Sequence, residues 1–201
     1  MTQLLPFMLF AFVAAITPGP TNILVLTHGA RYGWAAAWPI VLGAGASVAA
    51  MIGFMGMGLG EVFSRYPGIQ AVMLWAGSIW LSYLAWQIYA SPAEALAPRA
   101  ADEPTPRLGW IGAAGLQLVN PKAWMMALAS ASLFTVAGPA RREHVLLLAV
   151  MFFLIALPCL ACWAYLGIGA ARLLNSARRV KRMNQALALM LLLSVWWRWL
   201  P

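Results

Sequence analysis

The sequence predicts an all-α membrane protein of six transmembrane helices, built as two inverted three-helix repeats whose first helices are broken. Three observations carry this. Of the 201 residues, 63% are hydrophobic and 9% charged, with a mean hydropathy of +0.80, more apolar surface than a soluble domain of this size can bury. The charges fall between long uncharged runs, at residues 1–30, 32–60, 66–93, 144–171 and 183–197, and residues 108–140 hold only Lys122. Finally, helix-breaking residues recur inside two of the apolar segments, at Thr17-Pro18-Gly19-Pro20-Thr21-Asn22 and at Asn120-Pro121-Lys122.

A helix needs ~20 apolar residues to cross the hydrocarbon core. Span one is expected from about Leu4 to Thr27. Met1 to Phe7 contains no basic residue, so this segment is read as a mature span rather than a secretory signal. Pro18 and Pro20 each lack a backbone donor and Gly19 tolerates unusual dihedrals, so the span breaks near its middle. His28, Arg31 and Tyr32 mark its exit.

Span two, about Trp34 to Leu59, repeats small residues every four positions at Gly45, Ala49 and Gly53. That spacing lets another helix approach closely, within the subunit or across a homodimer interface. Ser47 is its one polar side chain and is expected to face a cavity. Glu61, Arg65, Tyr66, Pro67 and Gly68 form a turn. Span three runs from about Ile69 to Tyr89, where Trp80 and Tyr83 sit deep enough to line a path or to pack against lipid.

Residues 90–107 hold four prolines and five charges. They read as a cytoplasmic linker dividing a first repeat, 1–89, from a second, 108–201. Span four covers about Leu108 to Leu133, span five about Val145 to Ala171, and span six follows a basic cluster and starts at Met183. Eight basic residues lie on the side of this linker and four on the other, which places both termini outside the cytoplasm. The net charge of +8 thus belongs to span ends facing the lipid bilayer rather than to a nucleic-acid surface.

Proline-interrupted spans at corresponding positions of two halves point to a transporter's substrate site. Unwound backbone at membrane depth is tolerated where it is buried or lines a wet cavity, and half-helix N-termini direct N–H groups at a bound anion. Lys122 is ionisable, mid-span, and has no acidic residue in any span to pair with. It either holds the break through backbone carbonyls or binds an anionic group. The candidate substrate-binding residues are Thr17, Pro18, Gly19, Pro20, Asn22, Ser47, Gln117, Asn120, Pro121 and Lys122. No Ser–His–Asp set, phosphate loop or metal cluster is legible, so neither an enzyme nor a cofactor or metal is expected. His28 and His144 read as interfacial.

The two break motifs, with the small-residue span two, resemble the LysE/RhtB family of bacterial amino-acid exporters over nearly the whole chain. The resemblance implies export of an amino acid across the inner membrane, driven by the proton gradient or membrane potential. Family members that export cationic amino acids carry an acid in span two. Here that region reads Gly43-Ala-Gly-Ala-Ser47-Val-Ala, which shifts the expected substrate to neutral or small polar amino acids of the homoserine, threonine, leucine or cysteine type. Competing readings are a DsbD-like thiol-redox membrane protein using Cys159 and Cys162, a passive channel, and an assembly subunit.

Overall fold

The computed structural model describes residues 4–90, 108–135, 138–173 and 177–196. Among these the regular elements are all helical: α1 (Leu4–Ile16), α2 (Pro20–Tyr32), α3 (Trp34–Phe54), a π-helical turn (Met55–Leu59), α4 (Gly60–Arg65), α5 (Pro67–Ala90), α6 (Trp110–Leu118), α7 (Pro121–Phe134), α8 (Arg141–Leu173) and α9 (Ala177–Trp196). The linker expected at 90–107 lies outside the described residues after Ala90.

Both anticipated breaks are present. α1 and α2 are bent by 54° across the Thr17-Pro18-Gly19 interruption. Proline opens the second half-helix in each case, Pro20 in α2 and Pro121 in α7, where its missing N–H would have been unpaired anyway. Pro39 and Pro158, by contrast, lie inside α3 and α8 without ending them. The segment expected as a simple turn after span two begins with the short helix α4. Ahead of it the chain passes Gly58 at φ 134°, a left-handed conformation that glycine adopts without the steric cost of a Cβ.

Among the described residues, three stretches are long and apolar enough to cross a bilayer: Trp34–Val62, Pro67–Ala90 and Arg141–Ala171. The bent α1–α2 pair makes a fourth when counted as one span. α6 and α7 have 9 and 14 residues, and the first turns of α9 carry Arg178, Arg179, Lys181 and Arg182. Large apolar side chains such as Leu5, Phe12, Val72, Trp86, Ile111, Leu133 and Leu166 are exposed, as expected of surfaces that face lipid. The chain is an all-α, multi-pass membrane protein.

α8 runs through the centre and packs against α1, α2 and α3. Glycines set the closest approaches. A Cβ on Gly167 of α8 would stand 2.0 Å from the Leu26 carbonyl oxygen of α2, and one on Gly29 of α2 would stand 2.6 Å from the Ala164 carbonyl oxygen. Across the other half, a Cβ on Gly43 of α3 would stand 2.1 Å from the Trp110 carbonyl oxygen of α6. At Gly43, α3 therefore packs within the subunit. Gly45 meets Phe153, Gly56 meets Val145, and Gly53 has nothing within 4 Å. Arg141, opening α8, donates to the Gly56 carbonyl at 2.8 Å and pairs with Glu61 at 2.9 Å.

α5 and α9 pack chiefly on each other. Leu81 and Ala85 meet Leu187, Leu191 and Val195, with Ile23 and Leu26 of α2 joining the cluster. Trp196 Nε1 donates to Ser82 Oγ at 2.9 Å. The two helices meet the remaining bundle along a seam, and the principal cavity lies there.

Candidate functional site

The interrupted helices meet at a compact polar cluster. Asn120 is the N-cap of α7: its Oδ1 accepts from the Lys122 backbone N–H at 3.1 Å. Its Nδ2 donates to Thr21 Oγ1 at 3.0 Å and to Gln117 Oε1 at 3.1 Å. Thr21 in turn donates to Gln117 Oε1 at 3.0 Å. Gln117 and Asn120 are 2% and 3% exposed, so three polar groups satisfy one another in an otherwise apolar interior.

This trio separates two cavities. On one side a cavity of ≈ 260 Å³ runs along α2 from His28, Arg31 and Tyr32 inward to Pro20 and Thr21, a helical rise of roughly 16 Å at 1.5 Å per residue. Its opposite wall comes from Leu81, Leu84, Gln87 and Ile88 of α5 and from Asn184 and Leu191 of α9. On the other side a pocket of ≈ 30 Å³ is lined by Ala14, Asn22, Lys122 and Phe152 among others. Thr21, Gln117 and Asn120 line both. They form a septum.

Beyond the septum Lys122 Nζ donates to the Thr17 carbonyl, freed because the break ends α1. A Cβ on Gly19 would stand 2.8 Å from Lys122 Cδ, so the absence of a side chain there makes room for the lysine. The same loose end is tied at two further points. Asn22 Nδ2 donates to the Ala15 carbonyl at 2.8 Å, and Trp163 Nε1 of α8 donates to the Ile16 carbonyl at 3.0 Å. Phe7, Phe10 and Phe134 cluster together, with Phe7 and Phe134 edge to face at 5.3 Å.

The sequence-derived candidates thus fall into distinct places. Gln117 and Asn120 form the septum, and Pro20 lines the large cavity beside it. Thr17, Gly19 and Lys122 meet beyond it, while Pro18 is exposed and lines neither cavity. Pro121 is buried at the start of α7, against Gly77. Ser47 donates to the Ala114 carbonyl at 3.0 Å, joining α3 to α6. Trp80 and Tyr83 are exposed on α5, and Leu81 and Leu84 line the cavity in their place. Sequence reasoning missed Thr21, Arg31 and Asn184, and it read His28 as interfacial. Thr21 lay within the motif; the others are joined only by the folding of α9 against α2.

A family model described as LysE type translocator matches residues 12–194. The chain belongs to the LysE type translocator family. The relatives of this translocator include a cysteine/O-acetylserine efflux protein of Klebsiella pneumoniae, 32% identical over 173 residues that cover 83% of this chain and 82% of the relative. A protein of the same name from Escherichia coli is 30% identical over 193 residues, covering 94% of each chain. Another from Salmonella typhi is 30% identical over 167 residues, covering 80% of each. No solved structure matches.

As a translocator the chain is a transporter and not an enzyme. The thiol-redox reading finds no support. Cys159 packs in the apolar core with Phe152 and Ala156, Cys162 is exposed, and both thiols are free on α8, a helix without a break.

Proposed function

We propose that this translocator is a secondary active exporter of neutral or small polar amino acids, working by alternating access coupled to the proton gradient in the bacterial inner membrane. The observation that carries the reading is the ≈ 260 Å³ cavity that stops at the Thr21–Gln117–Asn120 septum, with Lys122 just beyond it. Its size lies below the about 300–1,000 Å³ of drug-sized sites, which suits a metabolite as small as an amino acid. Neither described acidic residue, Glu61 or Glu143, lines it, so a cationic side chain would find no counter-charge there. The relatives' names, cysteine and O-acetylserine efflux, favour the small polar end of that range.

The cavity ends beside Arg31 and the basic start of α9, the cytoplasmic side by the distribution of charge. Both termini are then outside, and the cavity takes substrate from the cytoplasm. Opening the septum passes the substrate to the break, where Lys122 exchanges the Thr17 carbonyl for the substrate carboxylate. Asn22, Gln117 and Asn120 receive its amino group or side chain. The reading assigns α1–α2, α3 and α5 to one repeat and α6–α7, α8 and α9 to an inverted second. It is supported by the reciprocal packing of α8 on α1 and α2 and of α3 on α6 and α7.

The test is a counterflow screen of the twenty amino acids and O-acetylserine in proteoliposomes, with and without a pH gradient. Exchange of small neutral substrates, enhanced by the gradient, is expected. Downhill flux without counterflow would mean a channel, and no flux of any of them would refute transport of this class.

A further inference from the structure

The large cavity carries polar groups that the septum and the break leave unused. Asn184 of α9 is 2% exposed, lines the cavity, and its Nδ2 meets no hydrogen-bond partner. Across from it on α2, His28 Nε2 and Arg31 Nε are likewise buried and without a partner, and both residues line the same cavity. Arg31 stands over the ring of Tyr32, its guanidinium carbon 5.2 Å from the centroid, and His28 packs against the same tyrosine ring, with centroids 4.9 Å apart. The ring holds the guanidinium in place without using its donors.

Buried polar groups in folded proteins are nearly always paired, and each exception asks for an explanation. Three exceptions lining one cavity, from two helices that face each other across it, have a common explanation in a ligand that accepts hydrogen bonds. Arginine is a permanent cation with a planar fork of donors that matches a carboxylate. An asparagine amide supplies a further donor, and an imidazole N–H can supply another.

We propose that Arg31, Asn184 and His28 form a carboxylate-recognition site at the cytoplasmic mouth of the cavity, where the α-carboxylate of the transported amino acid is first held. The inference rests on the transport reading and deepens it. The carboxylate has two stations, Arg31 at the mouth and Lys122 past the septum, and the septum lies between them. Substrates lacking a carboxylate are rejected at the first.

The full-length chain is reconstituted and screened as above. The fastest-exchanged of the twenty amino acids and O-acetylserine is then measured against its own carboxamide in wild type, Arg31→Gln, Arg31→Lys and Asn184→Leu. Wild type should prefer the carboxylate. Arg31→Gln should raise half-saturation about 10- to 100-fold, the range for losing a hydrogen bond to a charged group, with the maximal rate little changed. The preference over the carboxamide should disappear with it, and Arg31→Lys should restore part of it. Asn184→Leu should weaken binding without lowering the melting temperature, because it removes an unpaired buried amide. Equal losses for carboxylate and carboxamide would overturn the site, as would wild-type half-saturation in Arg31→Gln. The vesicles are made with and without phosphatidylglycerol. An Arg31 effect confined to vesicles containing it would assign the site to a lipid headgroup and also overturn the proposal. If wild type exchanges none of the screened compounds, the transport reading fails and this site with it.

Discussion

Lys122 Nζ donates to the carbonyl of Thr17, a residue 105 positions earlier, and so tethers the first turn of α7 to the loose end of α1. The contact spans the two helix breaks. Lys122→Ala should abolish exchange while far-UV helicity and membrane insertion match wild type. Proteoliposome transport equal to wild type would remove Lys122 from the substrate path.

Gly19 offers an independent handle on the same contact. A methyl group there would stand 2.8 Å from Lys122 Cδ and 3.1 Å from its Nζ, and the flexible lysine would swing aside. Gly19→Ala should therefore reduce exchange, and in the Lys122→Ala background it should lower the melting temperature no further, as expected of two changes acting on one contact. Additive losses in the four-variant cycle would show that Gly19 acts elsewhere.

The two glycines Gly43 and Gly53 share α3 and should respond oppositely to alanine. At Gly43 the new carbon would be 2.1 Å from a backbone oxygen of α6 that cannot move aside, whereas Gly53 has open space. Gly43→Ala should cost about 1–3 kcal/mol or more, the usual range for overpacking. Gly53→Ala should be neutral or stabilising by about 0.5–1 kcal/mol, from the helix preference of alanine. Melting curves of the detergent-solubilised protein would measure both.

Asn120 caps α7 and donates twice within the septum. Asn120→Ala should cost about 0.5–2 kcal/mol from the lost cap alone. It also leaves the Thr21–Gln117 bond as the remaining tie across the septum, so vesicles carrying the variant should leak substrate in the absence of counter-substrate. Tight vesicles would show that the polar trio is not the barrier.

Replacing both cysteines, Cys159→Ser with Cys162→Ser, should leave exchange within about twofold of wild type. The thiols are unbonded, and burying one serine hydroxyl costs only about 1–3 kcal/mol on mutational scales. Loss of exchange in correctly inserted protein would reopen a role for thiol chemistry.

Much of the fold was legible because membrane physics restricts it. Long uncharged runs marked α3, α5 and α8, and the breaks announced themselves through proline and glycine in apolar surroundings. Gln117, Asn120 and Lys122 stood out because polar groups there need partners. The cavity mouth was not legible, since Arg31 and His28 look like ordinary span-end residues. Asn184 sits just after a run of basic residues that explains itself by charge placement. Only the packing of α9 beside α2 reveals that these three face one space. Pro158 shows the contrast with Pro18: α8 continues through it, because a lone proline without adjacent glycine can be absorbed by a long, well-packed helix.

The seam along α5 and α9 also bears on inhibition. Where backbone touches backbone, as at Gly29 and Gly167, the helices cannot slide past one another. α5 also has one such contact, since a Cβ on Gly77 would stand 2.3 Å from the Val119 carbonyl oxygen, but the cavity walls beside α5 and α9 are leucine-rich, with Leu84 on one face and Leu116 on the other. A small apolar molecule wedged between these faces would act as a doorstop. It would stall the protein without imitating an amino acid, and its potency would be indifferent to changes in the septum.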